Sequence, residues 1–290
     1  MKRILFGTDG SASALAAARH LSHLAHDRQV HVHIVTVLAV HTPENVAETL
    51  LNQAREALGN FPGHITSAMS RAESTGEIVD ILIATAQYAD VDLIAVGACG
   101  RSALDRFFIG SVAEGMARHA DRPVLIARDS VISPLVIAGI DGSTASHEAA
   151  RFVAGNLPKE RSLHLVHVIA PPSGAVLAVD PVIAGVYYQA ADQQITSEQE
   201  QLSADLGALR DELAIEGRQV TTQITIGNAS AELIRVAEAQ HAGLVVVGAR
   251  GLTGIDRFLL GSVSERVVRH APCSVLVYRS RQTAASSARP

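Results

Sequence analysis

A glycine frame occurs twice in this chain, at residues 97–111 and at residues 248–262. The two segments read GACGRSALDRFFIGS and GARGLTGIDRFLLGS, and both fit the spacing G-x2-G-x9-G-S. Because glycine makes up about 7% of an average protein, one such frame is expected by chance at roughly 4 start positions in 100,000. Two copies within 290 residues, each after an apolar run and before a helix-like stretch, indicate two related halves.

The similarity between the halves extends beyond the glycine frame. Residues 97–120 and 248–271 share 13 identities in 24 aligned positions, and ILFGTDGS at 4–11 matches VIAGIDGS at 136–143. The offset is 132 residues at the aspartates and 151 at the glycine frames, so half two carries 19 extra residues, which we assign to a loop near 170–195. A repeat of this length is typical of a duplicated domain and is too long for a solenoid.

The composition limits the class of protein. A length of 290 residues predicts about two domains. With 48% apolar and 18% charged residues the chain is expected to be globular, and a net charge of −5 without a basic block argues against nucleic acid as the main partner. No run of 18 apolar residues exists, so we expect no membrane span. The chain has only two cysteines, which lack metal-ligand spacing, and this is typical of proteins in the reducing cytoplasm. The apolar run after Met1 is too short for a signal peptide, which also favours the cytoplasm.

Short runs rich in β-branched residues alternate with Ala-rich amphipathic stretches, which predicts an α/β fold with a mainly parallel sheet in each half. The predicted strands are 3–8, 30–38, 64–71, 91–96, 123–128, 135–140, 162–169, 218–226, 243–247 and 274–279. The predicted helices are 13–26, 44–58, 77–88, 111–119, 145–156, 187–215, 230–240 and 262–270. Since the join at 128–133 is short, we expect the halves to pack together as domains 1–130 and 134–280, followed by a disordered tail at 281–290.

Acidic and glycine-rich turns follow the first and fourth predicted strands of each half. In a doubly wound sheet, ligands bind beyond the carboxyl ends of the strands, where neighbouring connections diverge. If strands one and four are neighbours, Asp9 meets the loop that begins at Gly97, and Asp141 meets the loop at Gly248. A glycine loop and a helix start bind phosphate through backbone N–H groups, and the glycines are expected to supply positive φ and a close approach of the backbone. A facing carboxylate suits a ribose or a base.

With these motifs the chain resembles the universal stress protein family in its tandem two-domain form. The resemblance covers about residues 3–128 and 134–279. It implies two tandem doubly wound five-stranded parallel sheets, each of strand order 3-2-1-4-5, that pair through their last strands as an intramolecular pseudo-dimer. In that family G-x2-G-x9-G-[ST] marks the ATP-binding branch, so the resemblance implies ATP as the ligand and leaves open whether Mg²⁺ accompanies it.

Carried over to the matching positions, the resemblance implies one ATP site in each half. The aspartates would contact the nucleoside, a valine in the second strand would meet adenine through its backbone, and the glycine frame would hold the phosphates. The implied residues of domain 1 are Asp9, Val37, Val96, Gly97, Gly100, Gly110, Ser111 and Val112. Those of domain 2 are Asp141, Val168, Val247, Gly248, Gly251, Gly261, Ser262 and Val263. Half one departs from the family pattern at Ala14, where half two has Ser146, and at Cys99 in its loop.

Structural interpretations stay open beside these functional ones. Ser111 with Glu114, and Ser262 with Glu265, also form S-x-x-E capping boxes. Asp-Gly-Ser is a good helix-initiating turn, and glycines after a strand also make plain turns. The fixed spacing of two glycines upstream of each serine, found twice, favours nucleotide binding over these alternatives.

The histidine and cysteine patterns predict no metal site. His20, His23 and His26 are three residues apart on one predicted helix, whereas metal-binding histidines favour i,i+4 spacing, so we expect them on a solvated face. Cys273 is expected to be a small buried residue.

Together with these residues, the resemblance implies a cytoplasmic ATP-binding module that regulates or signals in stress response or growth arrest. We assign no catalytic residue, because fast phosphoryl transfer needs a positioned base and a metal clamp and no Walker G-K-[ST] is present; slow ATP hydrolysis stays open. The protein partner is unknown, and a homodimer through the last strands is a further expectation. The alternative is a nucleotide-free module for protein interaction, in which the glycine loops only start helices.

Overall fold

Strands and helices alternate through both halves of the chain. The structure is a computed structural model that describes residues 1–24, 29–99, 109–128, 133–170, 201–214, 217–249 and 260–280. The strands are β1 (Arg3–Gly7), β2 (His31–Ala39), β3 (His64–Ala72), β4 (Leu93–Gly97), β5 (Val124–Ala127), β6 (Val136–Gly139), β7 (Leu163–Ile169), β8 (Val220–Ile226), β9 (Leu244–Gly248) and β10 (Ser274–Tyr278). The helices are α1 (Ala12–Leu24), α2 (Glu44–Leu58), α3 (Thr75–Tyr88), α4 (Ser111–His119), α5 (Thr144–Asn156), α6 (helical residues 201–213), α7 (Ala229–Ala239) and α8 (Ser262–His270).

The predicted elements coincide closely with the observed ones. The helices α2, α4 and α8 have their predicted bounds, and the other boundaries within the described residues differ from the predicted ones by at most two positions. Helix α3 begins two residues before its predicted start, because the Ser74 side chain accepts a hydrogen bond of 3.2 Å from the Glu77 N–H and caps the helix earlier.

Three predicted features fall outside the part of the chain that the structure describes. They are most of the loop near 170–195, the first part of the helix at 187–215, and the tail at 281–290. Among the described residues, no helix combines the length and the apolar content needed to cross a bilayer.

The described strands form one ten-stranded sheet of order β3-β2-β1-β4-β5-β10-β9-β6-β7-β8. Each half contributes five parallel strands in the order 3-2-1-4-5, which confirms the predicted doubly wound fold. The halves join where β10 pairs antiparallel with β5, with Val275 opposite Ile126 and Val277 opposite Val124. The pseudo-dimer through the last strands therefore forms within one chain.

This pairing corrects the expectation of a homodimer through the last strands. Strand β5 pairs with β4 on one side and with β10 on the other, and β10 pairs with β9 and β5. Neither last strand keeps a free edge for a second chain, because the other half of the same chain has taken it.

Helices cover both faces of the sheet. Successive residues of β1 show this, since Ile4 and Phe6 pack with α1 and α2, whereas Leu5 packs with α3 and α4 on the opposite face. In half two, Leu165 of β7 shares the first core with α5 and α6, and Val166 shares the second with α7 and α8. Strands buried on both faces read as continuous apolar runs, as this sequence does. In the central strands, polar groups that could meet a ligand therefore lie mainly where the strands end.

A charged cluster bridges the last helices of the two halves. Arg118 of α4 lies 3.0 Å from Glu114 on its own helix and 2.7 Å from Glu265 on α8. Arg269 of α8 repeats this, at 3.2 Å from Glu265 and 2.7 Å from Glu114. Each arginine thus bridges both glutamates, and the four side chains follow the pseudo-twofold of the sheet.

One histidine of α1 belongs to this interface and not to a solvated face. His20 is 3% exposed, and its Nε2 lies 3.0 Å from the Ser274 hydroxyl at the start of β10. The same hydroxyl accepts a hydrogen bond of 3.1 Å from the Arg128 N–H. The prediction for His20 was wrong because α1 packs over β5, where the last strand of half two adds to the sheet. The side chain of His23 and all of His26 lie outside the described residues.

We expect Cys273 to resist thiol reagents in the folded chain. The residue is 2% exposed, and burial raises the pKa of its thiol to about 12, so the reactive thiolate is scarce at pH 8. Labelling with a disulfide reagent before and after denaturation checks this. Cys273→Ser should leave the labelling of the folded chain unchanged and lower the number of thiols labelled after denaturation by one. Labelling of Cys273 in the folded chain would contradict its burial.

Candidate functional site

The first strand of each half ends in the same tight turn. Gly10 and Gly142 adopt φ of 71° and 80°, a left-handed conformation that favours glycine. The preceding aspartates each accept a hydrogen bond of 3.0 Å at Oδ1, from the N–H groups of Ser11 and Ser143. Both aspartates therefore stabilise the Asp-Gly-Ser turn, as the structural alternative predicted. Within the described residues Oδ2 of neither carboxylate accepts a hydrogen bond, so one oxygen of each carboxylate stays available to a ligand.

The fourth strand of each half ends in a loop that is closed at its base. The N–H of Gly110 donates to the carbonyl of Ala98 at 2.7 Å, and the N–H of Gly261 donates to that of Ala249 at 2.8 Å. The two ends of each loop thus lie next to each other at the end of the fourth strand. Its middle lies outside the described residues, and with it lie the predicted Gly100, Gly251 and their flanking arginines.

The helix that follows each loop starts without a side-chain cap. Gly110 and Gly261 are the N-caps of α4 and α8, with φ of −73° and −63°, and no side chain of the described residues caps either helix. The capping-box interpretation of the serines was wrong, because Ser111 is already the first helical residue and the glutamate three positions later binds arginines of the interface. Within the part of the chain that the structure describes, the first N–H groups of both helices, which carry positive partial charge, have no side-chain partner.

Half two brings its predicted site residues around one cavity. The cavity is about 180 Å³, more than ten times the ~15 Å³ that one water needs, so it is a cleft and not a packing defect. Its lining includes every predicted residue of domain 2 that the structure describes, namely Asp141, Val168, Val247, Gly248, Gly261, Ser262 and Val263. Its apolar side chains lie on the strands, on α7 and at the start of α8, and its polar side chains lie before and within the first turn of α5 and at the start of α8. Apolar walls with a few convergent polar groups are typical of small-molecule sites.

Two serines of this cleft were not among the predicted site residues. Ser264 is buried and donates a hydrogen bond of 2.6 Å to the Gly248 carbonyl, which ties α8 to the end of β9. Ser146 accepts from the Asp141 N–H at 3.3 Å and donates to the Ser143 carbonyl at 2.9 Å. Ser146 was visible as the last serine of D-G-S-x-x-S. Ser264 gave no signal, because half one has alanine at the equivalent position.

In half one, different hydrogen bonds hold the equivalent residues in place. Its predicted residues occupy matching places: Asp9 in the turn, Val37 on β2, Val96 and Gly97 at the end of β4, and Gly110, Ser111 and Val112 at the start of α4. Here the hydroxyls of Ser11 and Ser13 both donate to the Cys99 carbonyl, and the Cys99 N–H donates to the Ser13 hydroxyl at 3.2 Å. The loop of half one is thereby tied to the first turn of α1.

The reason for glycine at position 97 differs from the predicted one. Gly97 does not adopt a positive φ. Instead, the start of α1 passes so close that an added Cβ would lie 2.5 Å from the Ala14 nitrogen and 2.8 Å from the Ser13 carbonyl carbon. Glycine is needed here for close approach between two backbones of the protein itself.

The described residues contain no group of three or more His, Cys, Asp or Glu side chains placed to hold a metal ion. The cleft of half two correspondingly has one carboxylate among its described lining residues, that of Asp141. Its described polar groups are backbone amides, hydroxyls and this single carboxylate, which suit hydrogen bonds to a polar organic ligand.

Comparison with known proteins identifies relatives along the whole chain. A family model described as the universal stress protein family matches residues 1–128 and 135–279. A universal stress protein of Mycolicibacterium smegmatis is 28% identical over 306 residues, covering 96% of this chain and 97% of its own, and one of Mycobacterium tuberculosis H37Rv is 29% identical over 300 residues, covering 97% of each. The solved structure of a universal stress protein from Archaeoglobus fulgidus has the same fold, with a TM-score of 0.63 at 18% identity over 97% of each chain.

We expect Gly97→Ala to destabilise the chain by about 1–3 kcal/mol, because the new methyl group meets backbone atoms that cannot turn away. Gly155→Ala is the matched control, since Gly155 lies in α5 with open space around it, and there the change should be neutral or slightly stabilising. Urea unfolding followed by circular dichroism measures both. Equal stability of Gly97→Ala and the unchanged chain would contradict the close approach.

Proposed function

Because the chain belongs to the universal stress protein family, we propose that it binds ATP in each half and acts as a nucleotide-dependent regulatory or signalling module in stress response or growth arrest. The proposal assigns the two sites to domains spanning 1–130 and 134–280. It locates the chain in the cytoplasm and includes a protein partner that reads the nucleotide-bound state.

The cleft of half two is the observation that carries this proposal. Asp141, at the end of the first strand of its half, and Gly261, at the start of α8, line the same cavity although they are 120 positions apart. The free Oδ2 of Asp141 suits a ribose hydroxyl. Val168 and Val247 offer an apolar wall for adenine, and the uncapped start of α8 suits the phosphates.

The same reasoning applies to half one through the repeat. Asp9 holds the same turn bond as Asp141, and α4 starts without a side-chain cap as α8 does. We therefore propose the domain 1 residues Asp9, Val37, Val96, Gly97, Gly100, Gly110, Ser111 and Val112 as a second ATP site. Its affinity should differ from that of half two, because Ser11 and Ser13 hold the Cys99 segment.

We propose binding with at most slow hydrolysis. Rapid phosphoryl transfer needs a base or water-orienting group and cations that clamp the phosphates. The described lining of the half-two cleft contains no lysine or arginine, and its one carboxylate already shares Oδ1 with the turn. Mg²⁺, where it accompanies ATP, would be held mainly by the phosphates, with the Ser262 hydroxyl nearby as a neutral oxygen ligand.

The second candidate function is a nucleotide-free interaction module. The turn bonds of Asp9 and Asp141 favour it, because they give both aspartates a structural role without any ligand. The two functions differ in what the purified chain carries. Acid release and ultraviolet absorbance should detect a co-purified adenine nucleotide under the first function and none under the second.

We expect the chain to bind ATP at two sites in equilibrium calorimetry, and we expect Gly110→Glu and Gly261→Glu to remove one site each. The backbone at both glycines has φ that any residue adopts, so each variant should fold while its carboxylate repels phosphate at the helix start. Gly155→Glu adds the same charge at an open position and should leave both sites intact. No binding at millimolar ATP would refute the proposal, and so would unchanged binding by both site variants.

A further inference from the structure

The arginine after each last strand reaches across to the other half of the molecule. Arg128 follows β5, and its Nη2 donates to two carbonyls in the last turn of α8, those of Val268 at 2.8 Å and Arg269 at 3.0 Å. Arg279 follows β10 and makes the reciprocal contact with half one. Its Nη2 donates to two carbonyls of α4, those of Ala117 and Arg118, both at 2.8 Å.

The two helices that receive these arginines are the ones that start at the candidate sites. Both α4 and α8 have nine residues, and isolated helices of that length are marginal in water. The last carbonyls of a helix have no partner within it, and a cation at that end also stabilises the helix dipole. A fork of guanidinium donors meets both needs at once. Since the helix is short, what holds its last turn also sets the direction of its first N–H groups.

Each arginine is in turn anchored beside the glycine loop of its own half. The N–H of Ala249, directly after Gly248, donates to the Tyr278 carbonyl at 2.8 Å, and Arg279 is the next residue. Half one repeats the arrangement, because the Ala98 N–H donates to the Ala127 carbonyl at 2.7 Å, immediately before Arg128. The end of each last strand thus contacts the loop of one site and the helix of the other.

Burial makes the contact at Arg128 strong. Arg128 is 6% exposed, and its own N–H donates to the Ser274 hydroxyl of β10 at 3.1 Å. Burial lowers the pKa of its guanidinium, although arginine keeps its charge in proteins. A charge held away from water interacts more strongly with nearby dipoles than a solvated one does.

We propose that Arg128 and Arg279 are positioning residues that complete the two ATP sites in trans. Arg279 of half two holds α4 for the site of half one, and Arg128 of half one holds α8 for the site of half two. The inference rests on the proposed ATP binding. It means that each half helps to hold the helix on which the site of the other half depends.

Variants with a single remaining site test this inference. Gly261→Glu leaves the half-one site and Gly110→Glu leaves the half-two site, so ATP affinity can be measured for each in the full chain. We expect Arg279→Met to weaken the half-one site by about fivefold and to leave the half-two site within about twofold. Arg128→Met should do the reverse.

The crosswise pattern separates positioning from loss of stability. A variant that only loosens the fold weakens both sites together, whereas positioning in trans affects the site in the other half. Arg210→Met removes an exposed arginine of α6, which pairs with its neighbour Asp211, and should change neither site. Thermal unfolding without ATP reports the stability of each variant.

The outcomes distinguish this inference from the proposed function. If neither single-site chain binds ATP, the proposed function fails. If both bind, and the arginine variants weaken both sites equally or only the site of their own half, positioning in trans is overturned. Should the Met variants not fold, Arg128→Lys and Arg279→Lys keep the charge but replace the guanidinium donors by one ammonium group. Each Lys variant should then weaken ATP binding at the site of the other half by less than fivefold.

Discussion

The antiparallel pairing of β5 with β10 is the interaction on which the rest of the structure depends. It joins two parallel sheets into one and places α4 beside α8. The charged cluster of Glu114, Arg118, Glu265 and Arg269 forms only because of that placement. A strand edge left open on either half would expose unpaired backbone groups to other chains, and the duplication removes that edge from both halves.

The doubly covered sheet decides where ligand chemistry can occur. The faces of its central strands are buried under helices, so a ligand can reach polar groups mainly where these parallel strands end. The connections after the first and fourth strands diverge there, which opens a crevice of the kind that binds ligands in such sheets. In half two this crevice holds a carboxylate, apolar walls and an uncapped helix start within one cleft.

The two halves keep one architecture and have changed its internal anchors. Half one ties its glycine loop to α1 through Ser11 and Ser13, whereas half two ties the end of β9 to α8 through Ser264. Each half uses a serine hydroxyl that the other half lacks, since Ala113 stands at the position of Ser264 and Ala145 at that of Ser13. If both proposed sites bind ATP, these different supports give a physical reason for unequal affinities.

The sequence by itself determined the α/β class, the duplication and the described element boundaries to within two positions, because periodicity and turn residues are local signals. It also predicted candidate site residues, since the glycine frame and the aspartates recur at fixed spacing, and the described ones of half two line one cleft. Only the tertiary structure decided the burial of His20, the close approach that requires Gly97, and the reach of Arg128 and Arg279 into the opposite half. Those contacts join residues from 83 to 254 positions apart, and no local pattern encodes which distant backbone a side chain will meet.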